Sequence, residues 1–250
     1  LQLVPWLLGW TELEGQPALQ RTFDLALHMG TFVGALAYFW ADIGRLFAAV
    51  VRSVRRRSVE GNEERLAWLI VVASLPAATI GFVLDQVLGG TSPEFVIGLM
   101  LILFGGVLFL ADRAPAERAI DDFSLRDAVV MGFAQALALQ PGVSRSGATI
   151  SAGRYLRLDR VAATRISFLM SLPIIAGAGL YKGLDVVGSG GIPSGFGGAF
   201  LWGTVASAIT GFGAVWVLLR LVQRRTFTPF VVYRVLAGAA VIVVAATGIR

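Results

Sequence analysis

The sequence contains no cysteine, a single histidine (His28) and few charges, which make up 15% of its 250 residues. Without cysteine, disulfides, thiolate metal sites and cysteine nucleophiles are excluded, although no redox compartment follows. The apolar/polar alternation of a membrane β-barrel is missing, and no separate secretory signal is visible. There is no initiator Met; the sequence opens on Leu1-Gln2-Leu3-Val4-Pro5-Trp6.

What is present is hydrophobic. Apolar residues make up 56% of the chain and mean hydropathy is +0.75, whereas soluble domains run at about 45–50% apolar and about 25% charged. The excess falls in blocks long enough to cross a bilayer as helix, about 20 residues each. Candidate spans are Thr22–Trp40, Leu66–Leu84, Glu94–Ala111, Ile166–Tyr181, Phe196–Leu219 and Phe230–Thr247. They are read as helices because lipid offers no partner for unpaired backbone groups. Trp6, Trp10, Trp40, Trp68 and Tyr181 fall near proposed span ends, as interfacial aromatics do. The fold class is therefore all-α, a polytopic membrane protein of about six transmembrane helices.

The net charge is +5, and nearly all of the basic residues lie between or at the ends of spans. This pattern reads as topology and contact with anionic lipid headgroups, not nucleic acid. Six arginines separate the first two spans and none separates the second from the third. The positive-inside rule puts the arginine-rich connections in the cytoplasm and Asp85–Pro93 and Lys182–Pro193 outside.

Both flanks of Leu125–Leu158 are basic, so this stretch is expected to enter and leave on one side. Its first arm, Leu125–Leu139, is about 22 Å of helix, short of a hydrocarbon core of roughly 30 Å. The breaker Gln140-Pro141-Gly142 follows, with Pro141 expected to stop the first helix. Charge and length thus agree on a re-entrant helix hairpin whose tip reaches mid-membrane. A faint repeat, Ser92-Pro93-Glu94-Phe95 against Thr228-Pro229-Phe230-Val231, opens two spans from opposite predicted sides, as inverted-topology halves do. The expected organisation is a single membrane domain over 1–250, with a remnant of a first repeat over about 1–111 and a second over about 125–250.

Arg145 lies inside the broken segment. An arginine at that depth costs at least a few kcal/mol on insertion scales and marks a functional site by default. Ser144, Ser146 and Thr149 place hydroxyls beside it, and a helix starting near Ser146 would turn free N–H groups to the same place. Hydroxyls, a helix N-terminus and a five-donor fork suit an oxyanion, phosphate above all. The competing reading has Arg145 paired with a carboxylate or with backbone carbonyls and merely holding the hairpin, and Ser144 and Ser146 serving as helix caps. Gln135 either lines the cavity or bonds across helices. Asp24 and His28, four residues apart on one helical face, read either as a proton-transfer or metal-binding pair lining the cavity or, more plainly, as helix polarity satisfied by a neighbouring helix. No metal ligand set can be named, and no convincing general acid or base stands near Arg145.

These residues carry a family resemblance. Gln135-x-x-Ala-Leu-x-Pro-Gly-x-Ser-Arg-Ser-Gly-Ala-Thr-Ile, then Ser167-Phe168-Leu169-x-Ser-x-Pro173 and Phe227-x-Pro-Phe-x-x-Tyr-Arg234, closely resemble the undecaprenyl-diphosphate phosphatases, the bacterial bacitracin-resistance proteins. The resemblance implies a multi-pass enzyme of the bacterial plasma (inner) membrane that hydrolyses undecaprenyl diphosphate to the monophosphate, recycling the carrier for peptidoglycan. It also implies inverted repeats, paired re-entrant hairpins, a divalent cation (magnesium or calcium), a polyprenyl diphosphate substrate, contact with membrane lipids and scope for a homodimer. Carried over, Arg145 and Ser144 would be catalytic, and Ser146, Gly147, Thr149 and Gln135 would bind substrate. The family's first box, Glu-Gly-x-Thr-Glu-Phe-Leu-Pro-Val-Ser-Ser-Thr-Gly-His, has no counterpart: the sequence begins just after the place where its His would stand. It supplies the family's acidic residues, a candidate serine nucleophile and the His, so the sequence as given is expected to hydrolyse little or nothing. A polyprenyl-phosphate transporter or flippase is the alternative, since broken helices and a midplane site are equally its vocabulary.

Overall fold

A computed structural model describes residues 17–87, 92–188 and 195–247. Trp6, Trp10 and positions 88–91 and 189–193 of the two expected external turns lie outside them. Among the described residues eight helices follow in order: α1 (Pro17–Arg56), α2 (Asn62–Val87), α3 (Glu94–Ala111), α4 (Leu125–Leu137), α5 (Arg145–Tyr155), α6 (Arg160–Gly188), α7 (Gly197–Val222) and α8 (Thr228–Thr247), with one 3₁₀ turn at Ile120–Asp122. All of these except α4 and α5 are long and apolar enough to cross a bilayer. Only 17% of the apolar window of α8 is buried within the protein and 50% of that of α6, so the remaining apolar surface needs lipid. The six expected spans are all present, and the chain is a polytopic all-α membrane protein.

The first span is longer than expected, continuing sixteen residues past Trp40 to Arg56. No proline interrupts this stretch, and Arg55 and Arg56 in its last turn complement the helix dipole. The exposed Trp40 therefore sits within α1 instead of at its end.

The chain divides into two compact units. One comprises residues up to 43 with 172–218. In it, α1 and α7 press backbone to backbone: a Cβ on Gly34 would collide with the Ala208 carbonyl, and Ser207 Oγ donates to Leu27 O at 2.7 Å. Small residues let membrane helices approach this closely. The other unit, 44–171 with 219–250, contains the broken segment. Neither unit coincides with an expected repeat half.

In the second unit α4 lies on α2, where Gly132 meets the Ala73 carbonyl and Pro76; a Cβ there would stand 2.6 Å from Ala73 O. The two segments matched as repeat openings begin α3 and α8, and these helices cross at Gly98 and Gly238, where a Cβ on Gly238 would come within 2.6 Å of Gly98 O. The helix hairpin expected over Leu125–Leu158 is present as α4 and α5, 13 and 11 residues long. At 1.5 Å per residue the arms are about 20 Å and about 17 Å, too short to cross.

Candidate phosphate site at the hairpin tip

The hairpin is closed at its base by Arg118. Its Nη1 donates to Asp127 Oδ1 at 3.0 Å, in the first turn of α4, and to Leu156 O at 2.9 Å, just past α5. The Arg118 carbonyl accepts from Asp159 N–H at 2.8 Å. One residue thus holds both ends of the segment together, which is the geometry of a re-entrant loop. Asp127 also receives the Ser124 N–H and hydroxyl as half of a capping box. The hydrogen bond that Arg118 donates to Asp127 raises the pKa of its guanidinium above the ordinary value. Arg154, only 2% exposed, donates to the carbonyls of Leu158, Ala114 and Asp112.

At the other end the chain breaks sooner than expected. α4 stops at Leu137, not beside Pro141. Pro141 acts at a distance of four residues: it has no N–H for the Leu137 carbonyl, and its ring blocks that position in a helix. Gln140 N–H takes the Leu137 carbonyl instead, at 3.2 Å, in a tightened last turn. Gly142 follows at φ +91°, where a Cβ would collide with the Ile97 carbonyl of α3. Gln140 Nε2 donates to Ser92 Oγ at 3.0 Å.

α5 then starts at Arg145, one residue before the expected Ser146, with Ser144 as its cap. Ser144 Oγ accepts from Gly147 N–H at 3.2 Å, and its backbone sits at φ 68°. That region is uncommon for a residue with a side chain and costs of order 1–3 kcal/mol unless the surroundings impose it. The imposing group is Arg234 of α8, 6% exposed, whose Nη2 donates to Gly142 O and Val143 O, both at 2.9 Å. Arg234 Nη1 lies 3.1 Å from where a Cβ on Gly147 would stand, so any side chain there would press on the guanidinium. In the sequence Arg234 stands out as a basic residue inside a span and as the end of a motif, but with no role attached. Its position inside a span was the signal that could have given it one.

Arg145 is different. Among the described residues its guanidinium has no hydrogen bond and no ion pair. The Arg145 and Ser146 N–H groups, at the positive end of α5, and the Ser146 hydroxyl are likewise without a partner among the described residues. The carbonyl-bound reading of Arg145 describes Arg154 and Arg234 instead.

The remaining candidates are placed as follows. Thr149 is fully buried, its hydroxyl bonded to Arg145 O at 2.9 Å and to Ser167 Oγ at 2.6 Å. The Gly147 N–H is spent on Ser144. Gln135 is 2% exposed, and neither of its amide atoms has a partner among the described residues. His28 and Asp24 lie in the first unit, where His28 Nδ1 bonds to the Asp24 backbone carbonyl at 3.0 Å; the helix's own backbone, not a neighbouring helix, supplies that partner. Among the described residues no three His, Asp or Glu side chains gather as a metal site. A hard divalent cation takes about six oxygen ligands with carboxylates among them. The described residues do not fit one.

The family described as bacitracin resistance protein BacA matches residues 1–240. The chain belongs to that family. Among its BacA relatives it is 46% identical to an undecaprenyl-diphosphatase of Pelobacter propionicus, over 100% of this chain and 90% of that one. It is 42% identical to one of Thermomicrobium roseum, over 98% and 89%, and 43% identical to one of Desulforudis audaxviator, over 98% and 88%. Family and spans together make it a multi-pass protein of the bacterial inner membrane.

Proposed function

We propose that the reaction this site serves is hydrolysis of undecaprenyl diphosphate to undecaprenyl phosphate and inorganic phosphate, with Arg145 holding the diphosphate. The relatives named for that activity support the reaction. The observation that carries the site is the unpaired Arg145 guanidinium at the N-terminus of α5, in a unit where other embedded arginines are bonded to carbonyls.

Hydrolysis breaks the bridging P–O bond; the oxygen of water joins the terminal phosphorus and the lipid phosphate keeps the bridging oxygen. Negative charge moves onto the bridging oxygen in the transition state, and catalysis is mainly positioning and charge stabilisation. The Arg145 and Ser146 N–H groups are fixed by the start of α5 before substrate arrives and need no reorganisation, and the Arg145 fork adds positive charge and further donors beside them. Ser144 Oγ already accepts a hydrogen bond and has its own proton to donate, so it serves here as a donor to phosphate oxygen. Ser146 adds a second hydroxyl. Arg234 positions the group by holding the Gly142 and Val143 carbonyls. Gly147 and Thr149 contribute by shape and by anchoring α5. A divalent cation, if the reaction uses one, takes its carboxylates from outside the cluster around Arg145.

A transporter would move the lipid without releasing phosphate, and the relatives' names do not favour it. The test is phosphate release from a polyprenyl diphosphate by the full gene product. Arg145→Ala is expected to lower turnover by about 10²–10³-fold, the usual loss for one oxyanion donor, with Arg145→Lys between the two. Undiminished release from Arg145→Ala would remove Arg145 from the site.

A further inference from the structure

The base of the hairpin carries a second cluster that the proposed reaction does not use. A cavity of about 430 Å³ opens where the end of α3, the α5–α6 junction and the α7–α8 connection meet, and Asp112, Arg113, Arg154, Arg160, Thr226 and Thr228 line it. Three guanidiniums stand against one carboxylate, and that carboxylate is spent. Asp112 Oδ1 accepts from Arg160 Nε, and Oδ2 accepts from the Phe227 N–H at 3.1 Å.

The donors are held in place. The Arg113 guanidinium lies 3.6 Å above the Phe109 ring centroid and donates to Phe109 O at 3.2 Å. Arg154 is locked by three carbonyls, yet its Nε is buried with no partner among the described residues. Thr226 Oγ donates to Thr228 Oγ at 2.9 Å, which leaves the Thr228 hydroxyl proton to give. Excess positive charge, fixed donors and no unspent carboxylate describe an anion site.

Loop charge places the mouth of this cavity on the cytoplasmic side, where basic pockets between membrane helices take phosphate headgroups. Arg154 is nine residues along α5 from Arg145, about 14 Å by helical rise, so one phosphate cannot occupy both places.

We propose that this cavity is a second, cytoplasmic phosphate-binding site, for the phosphate of an anionic lipid headgroup or for free phosphate. It does not depend on the phosphatase reading, because its ligand need not be the substrate.

The test is isothermal titration of the full gene product carrying Arg145→Ala, which silences the tip, in dodecyl maltoside, a detergent without phosphate. Inorganic phosphate and the short-chain lipid dihexanoyl phosphatidic acid are the two probes. Arg113→Gln and Thr228→Ala together, at exposed positions, are expected to weaken binding by about tenfold or more, one decade being about 1.4 kcal/mol. Binding of both probes assigns the site to the phosphate group itself, and binding of the lipid alone assigns it to a headgroup. Absence of binding by either, or affinity unchanged in the double variant, would overturn the proposal. The phosphatase reading would still stand, since Arg145→Ala has already removed it from the experiment.

Discussion

The two ends of the α4–α5 hairpin use arginine in opposite ways. At the base, Arg118 and Arg154 donate to carbonyls and carboxylate on both flanks, and the chain ends are held by them. At the tip, Arg145 has no partner among the described residues, Gln135 is buried with its amide unpaired, and Ser144 sits at positive φ. A buried polar group without a partner costs about 1–3 kcal/mol, and a strained residue costs a similar amount. Among the described residues most of the unsatisfied groups are gathered at the tip, the buried Arg154 Nε being the exception at the base. That separation is what a binding site on a rigid support looks like: the base stabilises the fold, and the tip keeps its donors for a ligand.

Substitutions can break the comparison at either end. The largest effect on stability is expected at Asp127, which is 1% exposed and paired with Arg118. Asp127→Asn removes one charge of a pair whose Arg118 side chain is 28% exposed, so the loss is expected at or below about 3 kcal/mol, the low end for fully buried pairs; thermal unfolding in detergent should drop accordingly. An unchanged melting temperature would show that the clamp does not hold the base. Arg234→Ala comes next. It frees the Gly142 and Val143 carbonyls and relaxes Ser144, so turnover is expected to fall by about tenfold or more while substrate still binds, one lost donor being worth up to roughly 10²–10³ in rate. Arg234→Lys should restore little, because one ammonium cannot reproduce the planar fork. A loss confined to KM would instead make Arg234 a direct substrate ligand. The smallest effect is expected from Gln135→Leu: removing two unpaired buried atoms should leave stability level or raised by about 1 kcal/mol. If Gln135 serves the ligand, phosphate release falls all the same. If activity is unaffected, Gln135 belongs to packing.

Much of the hairpin was legible before any coordinates. Two short arms with basic flanks admit few alternatives in a bilayer, and an arginine beside Pro-Gly inside such a segment is conspicuous. Its partners were not legible. Whether Ser144 caps a helix, whether Thr149 faces Ser167, and which arginine is free depend on contacts between residues far apart in sequence, such as Arg234 with Gly142. The stop of α4 at Leu137 was misplaced because proline acts on the carbonyl four residues back, not on its own neighbour. The length of α1 was missed because hydropathy marks where lipid ends, while helix propensity continues into the basic stretch up to Arg56. The arginines of the base read as topology signals, and Arg118 and Arg154 are structural as well.

The most direct test of this division of labour measures both melting temperature and phosphate release in two single variants of the full gene product, Arg145→Ala and Asp127→Asn. The account predicts a crossed result: Arg145→Ala melts like the parent and loses about 10²–10³ in turnover, while Asp127→Asn melts lower yet turns over near the parental rate at temperatures where it is folded. If Arg145→Ala lowers the melting temperature as much as Asp127→Asn does and leaves turnover intact, the tip is structural and the account is wrong.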